Sequence, residues 1–220
     1  MIKESIFIAK KRLELYEFLS FSFLNTPSEE LLNLIKDNSS QFEELTEDKI
    51  DSIEEKDLDY FIQEYYDRFF VPTSKLFVPP HESAIRNKDI KNGKISYGKL
   101  DSQETFHVKA CYEIVDFKVD ELNAFKPLKD NHYPDHIAFE LAFLAYLVNS
   151  ELLALENGMS EKANKWRKLQ KDFLVEHLSK WIADYALLSK ERGEGLYSYL
   201  TNISAKWIAL DLEYLMAENQ

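Results

Sequence analysis

The sequence predicts an all-α fold, a bundle of long helices forming one domain over residues 1–220. Three observations carry that expectation. The chain holds 5 glycines and 6 prolines, fewer turn formers than a sheet-rich fold of 220 residues needs. Those residues fall between patterned segments instead of within them. The segments space their apolar residues at the helical period, and a hydrophobic content of 45% with 14% aromatics is enough for one sizeable core.

Taken in order, residues 3–24 read as an amphipathic helix with Ile6, Leu13, Tyr16 and Leu24 among its apolar positions. Thr26, Pro27 and Glu29 have the residue types of a capped helix start, and Ser40 with Glu43 repeats the capping pair. Residues 43–59 carry nine acids against two lysines, the composition of a solvated face or linker. An aromatic helix is expected over 58–70. It ends near Phe70, because Pro72, Pro79 and Pro80 bias the following stretch, Val71 to Ser83, towards extended backbone. Gly93 and Gly98 mark a second loop, and a helix follows at about 101–116. Pro127 to Pro134 is a third loop. Pro134 then opens a helix reaching about 156, with Asp135 in its first turn. Long helices over 160–189 and 195–217 complete the bundle.

The net charge of −12 excludes some partners. Such a surface repels nucleic-acid phosphates and anionic lipid, whereas a basic peptide complements it. Cys111 is the single cysteine, so no internal disulfide forms, which fits a reducing compartment. The basic residues Lys10, Lys11 and Arg12 are followed by charges at helical spacing, not by the apolar stretch of a secretory signal. The apolar run Ile137 to Val148 includes Glu140 and is shorter than the roughly 20 residues of a membrane span. A cytoplasmic protein without stable membrane insertion is therefore expected. Homodimerisation, including helix swapping, stays open.

Few residues have the spacing of catalytic machinery. A di-iron bundle needs two Glu-x-x-His pairs; Glu104 and His107 supply one. The densest polar group is His132, Asp135, His136 and Glu140, which suggests either a metal site or a helix start tied to its loop. It lacks the His-Glu-x-x-His order of zinc hydrolases. Glu140 stands in an otherwise apolar segment, and a buried carboxylate there needs a partner or a proton. Cys111 reads as a small helical core residue. No phosphate-binding glycine loop is present in the sequence. No catalytic residue, metal or cofactor is expected on these grounds.

Four blocks in order carry a resemblance. They are Tyr65-Tyr66-Asp67-Arg68-Phe69-Phe70-Val71-Pro72 with Pro79-Pro80-His81-Glu82-Ser83, Pro134-Asp135-His136-Ile137 leading into Glu140, Phe173 to Leu178 with Trp181, and Leu196-Tyr197 through Asp211. Together they resemble the TorD/DmsD/NarJ family of redox-enzyme maturation chaperones, over about residues 10–212. Val71 stands where the family often has glycine, and His81 where an aromatic commonly follows the two prolines.

The resemblance implies an all-helical chaperone, not an enzyme. It would bind the twin-arginine leader or the apo form of a molybdenum-containing oxidoreductase catalytic subunit and delay export until the cofactor is loaded. The segments implied in peptide binding are Pro134, Asp135 and His136, and the loop carrying Pro79, Pro80, His81, Glu82 and Ser83. A leader with two guanidiniums and an apolar stretch suits apolar walls with carboxylates at one end. Asp135 and Glu82 are expected to meet the arginines, and Tyr65, Tyr66 and Phe69 to supply apolar or cation–π faces. Two other readings are a helical metalloenzyme using His132, Asp135, His136 and Glu140, and a permanent structural subunit.

Overall fold

A computed structural model describes residues 2–49, 56–130 and 133–217. The expected α-bundle is what they form. Helix α1 (Ile2–Leu24) buries Ala9, Tyr16, Leu19 and Phe23 along one side. Helix α2 (Glu29–Asp37) starts two residues later than Thr26-Pro27 suggests. Ser28 has extended backbone, and its hydroxyl accepts the Leu31 N–H at 3.2 Å, so the cap is Ser28. Helix α3 (Ser39–Thr46) is entered from Asn38 without a side-chain cap, and the capping role expected of Ser40 is not realised. The acidic stretch continues through residues 50–55, which lie outside the described residues. It is partly tied down at Asp48, which accepts from Lys190 and Asn202.

Helix α4 (Leu58–Phe69) is capped by Asp57, whose carboxylate accepts the Tyr60 N–H at 3.0 Å. After the proline loop come the short helix α5 (Glu82–Arg86) and a hairpin of β1 (Asp89–Lys91) and β2 (Lys94–Ser96). The hairpin turn is Asn92-Gly93, both at positive φ (50° and 73°), the backbone that suits the twist of paired strands. Gly98 lies so close to α5 that a Cβ would stand 2.6 Å from the Ser83 carbonyl oxygen.

Helix α6 (Gln103–Ile114) follows, and a short helix α7 (Lys126–Asp130) forms where a loop was expected. Pro127 is its second residue, a first-turn position where the missing N–H costs nothing. The core helix α8 begins at Ile137, not Pro134, and runs to Glu156. Residues 160–189 do not form one helix. Helix α9 (Ser160–Glu176) stops at His177, a 3-10 turn covers Leu178–Lys180, and α10 (Ile182–Arg192) resumes before α11 (Leu196–Ala217). No glycine or proline signals that break. It occurs where His177 and Trp181 turn inward to Glu82 and Glu140.

One continuous apolar cluster reaches from Tyr16 in α1 to Leu215 in α11. Helix α8 is its axis, packed on α1 and α9, while α10 packs on α11. By length and apolarity α8 would pass for a membrane span, yet 78% of that window is buried inside the fold. Two buried polar networks fix how the helices meet. The Arg12 guanidinium donates to Asp211 at 2.5 and 2.9 Å, to Glu151 at 3.1 Å and to Gln170 at 2.7 Å. Tyr16 adds a 2.7 Å bond to Asp211, and Arg167 donates to the other oxygen of Glu151 at 2.8 Å. At the other network, Glu64 on α4 accepts the Leu196 and Tyr197 N–H groups at 3.1 and 3.2 Å, capping α11, while Arg68 holds Glu64 at 2.6 Å.

Candidate functional site

The proline loop and the residues before α8 meet in a short antiparallel bridge between His81 and His136. The Glu82 N–H donates to the Asp135 carbonyl at 3.0 Å, and the Ile137 N–H to the Pro80 carbonyl at 2.9 Å. The Asp135 carboxylate accepts the Ser83 N–H at 2.9 Å. The Tyr112 hydroxyl, from α6, donates to the Pro134 carbonyl at 2.9 Å. Pro79, Pro80, His81, Glu82 and Ser83 therefore form one unit with Pro134, Asp135 and His136, although they lie some fifty residues away in sequence. The sequence blocks gave no sign of this strand-like pairing, because it is a single bridge with no alternating pattern.

A chain of ring contacts crosses the bridge. Tyr133 packs edge-on to His81 at 5.9 Å, and His81 edge-on to His136 at 5.0 Å. His136 lies 6.3 Å from Phe69, which contacts Tyr65 at 5.0 Å, and Tyr65 meets Phe70 and Phe125 at 5.5 and 6.1 Å. Tyr65 and Phe69 are buried core residues; the Tyr65 hydroxyl is fixed on the Phe23 carbonyl at 3.1 Å. Tyr66 and Phe70 are half-buried, and Tyr133 is exposed. The accessible rings of this patch are thus Tyr66, Phe70, Phe125, Tyr133 and His81. Phe70, Phe125 and Tyr133 did not emerge as site residues from sequence, since ring contacts across distant segments leave no local signal.

The carboxylates are placed differently from the expectation. Asp135 and Glu82 are both 0% exposed. Glu82 sits between Arg86 and the His177 Nδ1, the latter at 2.7 Å. Both acids hold the loop in shape, and the one Asp135 oxygen without a hydrogen-bond partner is enclosed. Burial raises the Asp135 carboxyl above its usual range, partly offset by bonding to Ser83. Glu140 is also buried, and its carboxyl is raised well above the usual range, first by burial and then by Glu82 and Asp135. Its partner is Trp181, whose indole N–H donates to it at 3.3 Å. The other Glu140 oxygen is enclosed without a hydrogen-bond partner. Burial disfavours the His177 cation, but bonding to Cys111 and Glu82 outweighs it and lifts the imidazole to about 9. His81 and His136 are pushed down by burial and stay neutral. The His136 Nδ1 accepts the Ala138 N–H at 3.1 Å, so His136 is the cap of α8.

Among the described residues, the members of the metal cluster considered from sequence are not gathered into one set of ligand atoms. Asp135 and His136 are engaged with backbone groups, Glu140 pairs with Trp181, and His132 lies outside the described residues. Glu104 of the single Glu-x-x-His pair accepts from Ser102 and Asn87.

Comparison with known proteins agrees with this architecture. The nitrate reductase delta subunit family matches residues 28–186, a span containing the bridge, His177 and Trp181. The chlorate reductase assembly chaperone protein of Ideonella dechloratans is 41% identical over 56 residues, 26% of this chain and 28% of that protein. The selenate reductase assembly chaperone protein of Thauera selenatis is 35% identical over 74 residues, 34% of each chain. The chaperone protein TorD of Aliivibrio salmonicida is 25% identical over 131 residues, 58% of this chain and 59% of that one. The aligned stretches thus span from about a quarter to three fifths of these relatives. No solved structure matches. The family match covers well over half of the chain and bears out the resemblance drawn from the four sequence blocks: the chain belongs to the nitrate reductase delta subunit family, of the TorD/NarJ kind.

Proposed function

We propose that this protein is a cytoplasmic, non-catalytic assembly chaperone that holds the twin-arginine leader or the apo form of a molybdopterin-dependent reductase catalytic subunit until its cofactor is in place. The observation that carries the reading is the His81–His136 bridge. It fixes a proline-rich loop against the start of the core helix and leaves a patch of partly exposed rings beside it. The assembly-chaperone names of the relatives for chlorate and selenate reductases point to the same kind of client.

In this reading the peptide is gripped mainly through apolar contact. Tyr133, His81, Tyr66, Phe70 and Phe125 supply wall, with Pro79 and Pro134 beside them. The buried acids keep the wall in shape, and the acidic surface, with a net charge of −12, draws a basic leader towards it. The arginines then meet exposed acids of this surface, not Asp135 or Glu82.

The test is capture from the source cytoplasm by the tagged chain. Recovery of an unprocessed, cofactor-free catalytic subunit supports the proposal. Stoichiometric retention of the chain in the mature, loaded enzyme contradicts it and favours the permanent-subunit reading.

A further inference from the structure

We propose that His107, Cys111 and His177 form a binding site for a zinc-class divalent metal ion, with a fourth coordination position open to an adjoining cleft. His107 and Cys111 are four residues apart on α6 and therefore share one face, a turn apart. His177 arrives from the break after α9. One ligand atom from each of the three lies within 4.8 Å of the others. Cys111 Sγ and His177 Nε2 are 3.9 Å apart. Tetrahedral zinc, with bonds of about 2.0–2.1 Å to nitrogen and about 2.3 Å to sulfur, places such atoms about 3.4–3.6 Å apart. Closing the set needs a shift of roughly 1 Å. That movement falls to His107, whose side chain is exposed and packs on the His177 ring with centroids 4.8 Å apart.

The arrangement around His177 points the same way. Its Nδ1 lies 2.7 Å from the Glu82 carboxylate, which orients the ring and leaves Nε2 towards Cys111. A carboxylate on the far nitrogen is the usual support for a metal-binding imidazole, since it fixes the ring and increases its basicity. Glu82 is itself held by Arg86 and buried in the bridge, so the support is rigid. Beside the three ligands is a cavity of about 350 Å³, walled by Val115, Phe143 and Phe173 with Asp172 and Glu176 among its lining residues. It gives a metal ion an approach path and room for a fourth, exchangeable ligand.

The donor set selects the metal class. Two imidazoles and one thiolate suit zinc, whereas calcium and magnesium require oxygen ligands. This departs from the expectation drawn from sequence, in which Cys111 is a small core residue and no metal binds. His177 is 66 residues from Cys111 in sequence, which is why no ligand spacing shows.

The test uses the full chain, stripped of metal, titrated with zinc by calorimetry and with cobalt(II) by absorption. The expected result is one equivalent bound, with a thiolate-to-cobalt charge-transfer band and the visible bands of a tetrahedral ion. Cys111→Ser removes the charge-transfer band, and both it and His107→Ala weaken zinc binding by at least about tenfold. His107 is exposed, so His107→Ala keeps the parent melting curve and isolates the effect from folding. A cobalt complex without thiolate absorption overturns the proposal. So does zinc affinity that is unchanged in both variants, which places any bound ion on the acidic surface instead.

Discussion

Replacing Asp135 separates two roles that the sequence left together, leader binding and loop support. The carboxylate is fully buried and accepts the Ser83 N–H at 2.9 Å. Asp135→Ala leaves that buried donor without an acceptor, a loss of about 1–3 kcal/mol. The gain from removing a desolvated carboxyl, whose ionisation burial already disfavours, offsets part of it. A net loss of about 1–2 kcal/mol corresponds to a melting temperature lower by roughly 2–8 °C for a chain of this size. Asp135→Asn keeps an acceptor for Ser83 and removes the charge, so it melts above the alanine variant. The same pair is then titrated with a twin-arginine peptide by calorimetry. If the side chain supports the loop, Asp135→Asn binds like the parent and Asp135→Ala binds more weakly in proportion to its lost stability. An asparagine variant that melts like the parent but loses peptide binding would refute this reasoning. Asp135 would then pair directly with an arginine.

Two further perturbations test the buried polar groups. Arg12→Met removes the cation shared by Asp211 and Glu151, and the uncompensated buried charges cost about 3–5 kcal/mol, measurable by urea unfolding. The raised Glu140 carboxyl holds its proton in the folded chain at pH values where the unfolded chain has released it. Its contribution to stability is therefore complete below the unfolded value, near pH 4, and is lost as pH rises through the raised folded value. Melting temperature measured from about pH 4 upward should fall in the parent and fall less steeply in Glu140→Gln. Equal slopes would mean that Glu140 is not the group responsible.

The fold was legible because its signals are local. Proline and glycine placement located the end of α4 and the start of α11, and the apolar run from Ile137 marked the core helix. The helix break at His177 was not legible. Its cause is the pull of Glu82 and Glu140 on side chains that a helical pattern would accept, and those acids lie 95 and 41 residues away from their partners. The start of α8 was misplaced by the same kind of effect. Pro134 and Asp135 carry the residue types of a first turn, but they form a separate turn closed by the His136 N–H on the Tyr133 carbonyl, and the bridge to Pro80 and Glu82 passes the cap to His136. At the candidate site the sequence blocks identified the two segments that meet. They did not reveal that Asp135 and Glu82 are enclosed, because burial of an acid depends on what covers it. Nor did they reveal Tyr133 and Phe125, which join the patch only through tertiary ring contacts.

The central claim is that the ring patch beside the His81–His136 bridge holds the reductase precursor. Its most direct test is the affinity of the purified chain for a leader-bearing precursor, compared with a His81→Ala/Tyr133→Ala double variant. Tyr133 is 38% exposed and His81 is half-buried, so the variant should stay folded, as its melting curve will report. Losing two rings from a peptide-gripping surface removes roughly 1–3 kcal/mol of binding, about tenfold to a hundredfold in Kd. That loss, with the fold intact, is the predicted result. Precursor affinity unchanged in the folded double variant would contradict the account and place client binding on another face of the bundle.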